Sequence, residues 1–185
     1  MSMADLRVHF ERLGFRDVET YIASGNVVFA APVGNLPQLE EQIGRHLQKA
    51  LGYQVTAFIR TPSELAAIVA YEAFPEADLE APGTSLFVVF LPTPPRDAVK
   101  RQLRAFRSEF DEFVVNGREV YWLCRTNLSD SPYSRPILTK VLGVPATVRN
   151  MNTVRTMAAK YAATANDQDE VRTAGPRSRK RMPRL

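Results

Sequence analysis

The sequence predicts an α+β fold: a tandem pair of ferredoxin-like subdomains, each of β-α-β-β-α-β order, with the first strand of the first subdomain missing. Three observations lead there. Apolar residues recur at helical steps in some segments and fill short β-rich runs in others, up to about residue 164. The segments so marked read α-β-β-α-β-α in the first half and β-α-β-β-α-β-α in the second, a difference of one leading strand. The local text also repeats: Leu51-Gly52, a strand ending in Arg60 and then Leu65, against Leu142-Gly143, a strand ending in Arg149 and then Val154.

Each element has its own justification. Met3, Leu6, Phe10 and Leu13 mark the first helix, stopped by Gly14. Val18 to Ile22 and Val27 to Ala30 form a hairpin around Ala23-Ser24-Gly25-Asn26. Leu36, Leu39, Ile43, Leu47 and Leu51 line a second helix ended by Gly52, and Tyr53 to Ile59 form a third strand. Thr61-Pro62-Ser63-Glu64 opens the next helix, with Thr61 as N-cap, Pro62 in the first turn and Glu64 closing a capping box.

In the second half, Leu86 to Leu91 reads as a central strand. Val99, Leu103, Phe106 and Phe110 face inward from a helix whose outer side carries Lys100, Arg101, Arg104 and Arg107. Asn116-Gly117 predicts a type I′ hairpin between Glu112–Val115 and Glu119–Cys124. Pro136 to Leu142 is a short helix stopped by Gly143, Ala146 to Arg149 a strand, and Thr153 to Tyr161 a helix with Val154, Met157, Ala158 and Tyr161 inward. The expected organisation is a first subdomain over 1–74, an acidic linker loop over 75–83, a second subdomain over 84–164 and a disordered basic tail over 165–185. A missing central strand would leave neighbouring backbone groups unpaired, so a short apolar strand is expected to be encoded ahead of Met1.

Composition narrows the classes. The 185 residues, 45% hydrophobic and 24% charged, suit a globular chain of one ordinary domain or two small ones. No run approaches the roughly 18 apolar residues that span a bilayer, and the start shows no signal-peptide core, so no membrane association and a cytoplasmic location are expected. Cys124 is the single cysteine, which excludes an intrachain disulfide and a cysteine-based zinc cluster. The net charge of +4 misleads. Without residues 171–185 the chain carries 18 basic against 20 acidic side chains, a formal charge of −2.

Met3-Ala4-Asp5-Leu6-Arg7, Leu13-Gly14-Phe15, Tyr21-Ile22-Ala23-Ser24-Gly25-Asn26-Val27-Val28-Phe29 and Thr147-Val148-Arg149-Asn150-Met151-Asn152-Thr153-Val154 resemble segments of the uncharacterised bacterial family known as domain of unknown function 1697. The resemblance implies an α+β fold of two similar halves and no established activity. It also implies an N-terminal strand segment that this chain lacks, and commonly a Trp where Met151 stands.

Two groups of residues are candidates for binding a small anionic or nucleotide-like ligand. Ser24, Gly25 and Asn26 combine a hydroxyl, an amide and permissive backbone, as either an anion-binding nest or a plain hairpin turn. Arg149, Asn150, Asn152 and Thr153 lie where a strand meets a helix N-terminus. There Arg149 either grips an anion or joins a structural ion pair, with Asn150 or Asn152 as N-cap. The alternative reading is nucleic-acid binding through Arg177, Arg179, Lys180 and Arg181 of the tail.

An enzyme of unassigned reaction remains open, with no catalytic residues designated. His9 and His46 show no ligand spacing, so no metal and no cofactor are expected. Cys124 reads as a small core residue, and Ser129, Ser131, Ser134 and Lys140 as loop and helix residues. Tyr121 and Trp122 alternate along one strand, so no more than one of them is expected to face the helices.

Overall fold

The structure, a computed structural model, describes residues 1–22, 25–32, 34–133 and 135–161. It is an α+β chain with two antiparallel sheets. Two compact units divide at Ile59/Arg60, so the helix opened by Pro62 groups with the residues that follow it.

The first unit contains α1 (Met3–Arg12), β1 (Arg16–Tyr21), β2 (Asn26–Ala30) and α2 (Leu36–Leu51). Ser2 caps α1 through a reciprocal capping box with Asp5. Gly52 ends α2 in the left-handed conformation at φ 76°, which a residue without a Cβ adopts at little cost. The core joins Leu6 and Phe10 of α1, Phe15, Val18, and Ile43 and Leu47 of α2.

The third strand expected at Tyr53 to Ile59 does not form. The segment still packs as a strand would, with Val55, Ala57 and Ile59 against the core. Its backbone joins no ladder, because pairing needs a neighbour and none is present among the described residues. The carbonyl oxygen of Val55 would lie 2.8 Å from a Cβ at Gly44, so glycine is what lets this segment lie against α2.

The second unit contains α3 (Pro62–Ala70), α4 (Glu76–Glu80), β3 (Ser85–Phe90), α5 (Asp97–Ala105), β4 (Asp111–Asn116), β5 (Glu119–Cys124), α6 (Arg135–Leu142), β6 (Thr147–Asn150) and a helix over 151–161, here α7. Thr61 caps α3 with the predicted capping box to Glu64. The acidic stretch after Phe74 is not all loop, since Glu76–Glu80 makes a helical turn there.

The sheet order is β4-β5-β3-β6, every pair antiparallel, so the first strand of the unit is central. One face packs Val89, Phe113, Val120, Trp122 and Cys124 against Leu103 of α5 and Leu138 and Leu142 of α6. The other face is also covered. Tyr121 donates its hydroxyl to the Ile68 carbonyl of α3 at 3.0 Å and its ring meets Tyr71.

Three local expectations are corrected. Tyr121 and Trp122 both face helices, on opposite sides, because α3 supplies a second helical layer. Asn116 pairs with Glu119, so the β4–β5 loop is Gly117-Arg118. Only Gly117 has positive φ there, the type II′ pattern in place of I′. Phe110 is 48% exposed, because α5 ends at Ala105, before the helical register could carry that ring inward.

Candidate ligand-binding site

The Arg149 to Thr153 block is a strand that runs straight into a helix. Arg149 pairs with Val88 in β6, and Asn150 ends that strand while capping α7. The Asn150 side-chain oxygen accepts from the Asn152 amide at 2.8 Å, the N-cap expected as one of its two readings. Met151 is buried at 2% exposure and so serves packing, where Trp is the commoner residue in the resemblance. The half-buried Arg149 guanidinium donates to the Thr147 hydroxyl at 2.6 Å and to the Val148 carbonyl at 2.9 Å. Its repeat counterpart is held differently: Arg60 donates to the Glu119 carboxylate at 2.6 Å and to the Leu91 carbonyl at 3.1 Å, with its charge over the Phe90 ring. Burial pushes the Arg60 pKa down, and Glu119 opposes that shift.

In the first unit, Asn26 pairs with Tyr21 and Gly25 has φ 76°, while Ser24 lies outside the described residues. Ile22 beside them has φ 49° and is 52% exposed. A β-branched residue rarely adopts that conformation, so the backbone at Ile22 is strained. Arg177, Arg179, Lys180 and Arg181 also lie outside the described residues, as does the tail expected to be disordered.

Catalytic groups are sparse. Cys124 is buried, gives its thiol hydrogen to the Thr126 carbonyl at 3.3 Å, and has its pKa pushed up by burial. Ser131 is buried and donates to both oxygens of Asp111, which also accepts from the Trp122 indole at 2.7 Å. Among the described residues, no group of three or more His, Cys, Asp or Glu is arranged to hold a metal ion. Nor is any described helix long and apolar enough to cross a membrane.

Sequence reasoning missed two clusters. Asp111, Trp122 and Ser131 come from separate segments, and nothing local links them. His9 Nδ1 and His46 Nε2 lie 3.1 Å apart across α1 and α2. A signal for this pair was present: each histidine sits beside an apolar stripe, and the two stripes face one another in the core. His9 also lines an open depression of about 310 Å³ with Asp5, Arg12 and Leu51.

Burial first, then the charges of His9, Arg12 and Lys49, hold the His46 pKa below 6.5. The unfolded chain therefore binds more protons just below that pH, and stability falls as the solution is acidified through the window beneath 6.5. The loss levels off once folded His46 is also protonated. Thermal melts across this range should show the decline, and H46Q should flatten it; an equal slope in both proteins would refute the assignment.

The family model for proteins of unknown function called DUF1697 matches residues 1–121, so the Arg149 to Thr153 block lies beyond the matched span. No curated protein matches the chain. Among solved structures, the conserved bacterial protein SP0830 from Streptococcus pneumoniae is similar, with a TM-score of 0.54 at 18% identity over 86% of this chain and 88% of that one.

Proposed function

We infer, for a chain that belongs to the DUF1697 family, that it is a binding module for a small anionic or nucleotide-like ligand. One observation carries the reading. Arg149 presents an anchored guanidinium where β6 turns into α7, and anions are favoured at a helix N-terminus. A guanidinium already oriented by a hydroxyl and a carbonyl loses little freedom when it meets a carboxylate or phosphate. Thr153 lies in the first turn of the same helix, and Asn152 offers a side-chain amide on its exposed side. Ser24, Gly25 and Asn26 form a second anion-contacting group in this reading, supported by the strained Ile22 beside them.

The finer fold assignment belongs to the same reading. The second unit has β-α-β-β-α-β order with its first strand central, which supports a ferredoxin-like assignment, and the α-β-β-α order of the first unit supports reading it as a partial repeat of the same motif. A cytoplasmic location belongs to the same reading, supported by a sequence whose single cysteine, Cys124, allows no intrachain disulfide.

The test is a thermal-shift survey with inorganic phosphate, nucleoside monophosphates and phosphorylated metabolites. Ligand at one hundred times its Kd stabilises the native state by about 2.7 kcal/mol, an easily read shift. R149A should abolish the response and R101A, which removes an exposed arginine of α5, should retain it. Equal shifts in both variants would remove Arg149 from the site.

A further inference from the structure

We propose that β4 is a self-pairing edge: residues 113–115 of one chain add antiparallel to the same residues of a second copy, across a two-fold axis at Val114. The proposal is independent of the ligand reading, since Arg149 lies on β6 at the opposite edge of the sheet. It starts from which backbone groups of β4 are already used. Asn116 and Glu119 flank the Gly117-Arg118 loop, and the pair that closes such a hairpin exchanges both of its hydrogen bonds. Alternation then turns Val114 and Glu112 toward β5 and leaves Asp111, Phe113 and Val115 facing outward. Two observed bonds fix the same phase. The Phe110 carbonyl accepts from the Arg125 amide at 2.8 Å, and the Arg118 carbonyl turns away from β4 to accept from the Leu91 amide at 3.0 Å.

Of the outward residues, Asp111 is taken. Its amide donates to the Ser108 hydroxyl at 2.9 Å, and its carbonyl accepts from the Ser108 amide at 2.8 Å. The outward groups of Phe113 and Val115 meet no protein partner among the described residues. Neither lysine nor proline blunts Asp111–Asn116, and no bulge breaks its register. The far edge differs: β6 has four residues, and the Arg149 guanidinium already occupies the Val148 carbonyl at 2.9 Å. A second copy fits the β4 edge because the open groups are self-complementary. With Phe113 facing Val115 of the other chain, every open donor and acceptor on both chains finds a partner, while Ser108 bars a register shifted toward Asp111. The same register sets Val114 against Val114 of the second copy, a β-branched pair, and Glu112 against Asn116. The Glu112 charge is held within its own chain by Arg107 and Arg125, each at 3.3 Å, so no like charges meet at the pairing. Exposed Phe110 comes opposite Arg118 of the second copy, an aromatic ring beside a cation.

The experiment uses the full chain. Sedimentation should show a monomer–dimer equilibrium, and hydrogen exchange at the Phe113 and Val115 amides should slow by about tenfold or more from dilute to concentrated protein. V114K and V114E each set like charges face to face across the axis, so each alone should weaken the dimer by about tenfold or more. Mixing the two variants should restore it as a heterodimer, with circular dichroism of each confirming a native fold. A wild-type chain that stays monomeric at every concentration would overturn the proposal. So would a dimer whose Phe113 and Val115 amides exchange as fast as in the monomer, or folded variants that stay dimeric singly. The wild-type exchange decides the matter if either variant fails to fold.

Discussion

Replacing Glu119 with Gln is expected to destabilise the protein by about 3 kcal/mol, because the change leaves a charged guanidinium buried without its counter-ion. Arg60 is only 4% exposed in its side chain and Glu119 12%, so solvent cannot take over the lost partner. The pair does more than join two charges. Arg60 precedes Thr61, the cap of α3, and Arg118 beside Glu119 bonds Glu64 of the same helix at 2.7 Å. These contacts fasten the start of α3 to the β5 end of the sheet. Chemical denaturation followed by far-ultraviolet circular dichroism measures the loss. R60M/E119L should recover most of it, since matched apolar replacement of a buried pair is often neutral. A double variant as unstable as E119Q alone would show that the charge pairing was not the source.

Asp111 gives the second large effect. D111A should cost about 3 kcal/mol, combining a small cavity with two buried donors, the Trp122 indole and the Ser131 hydroxyl, left without an acceptor. D111N retains the shape and one acceptor oxygen, so it should lose less than half as much in the same denaturation experiment. If the asparagine variant is as unstable as the alanine one, the carboxylate charge and not the hydrogen bonding carries the effect. Ser131 also accepts from the Tyr133 amide at 3.1 Å, so the alanine change should loosen the segment ahead of α6 as well.

Local chemistry was legible in the sequence. Thr61 with Glu64, Gly52 and Gly143 after their helices, and the apolar steps of α1 and α2 each act within a few residues, and all appear as expected. What failed depends on distant partners. Residues 53–59 have the composition of a strand but join no ladder among the described residues, and Phe110 has helical spacing after the helix has ended. The His9–His46 contact joins residues of two helices that only packing brings together. Of the candidate site, the strand-to-helix junction at Arg149 was readable and the Asn150 cap was one of two stated outcomes. The support that holds Arg149 was not, because Thr147 lies beside it only once β6 is extended.

Trp122 is the single tryptophan, buried in the second unit between the rings of Phe87 and Phe113. Its emission is therefore a private optical record of that unit's core, blind to the two-stranded sheet of the first. Circular dichroism, by contrast, sums the helices of both. Superposed unfolding curves from the two signals would mean that the units melt as one cooperative body. Separated curves would assign a free energy to each, without any label or added chromophore.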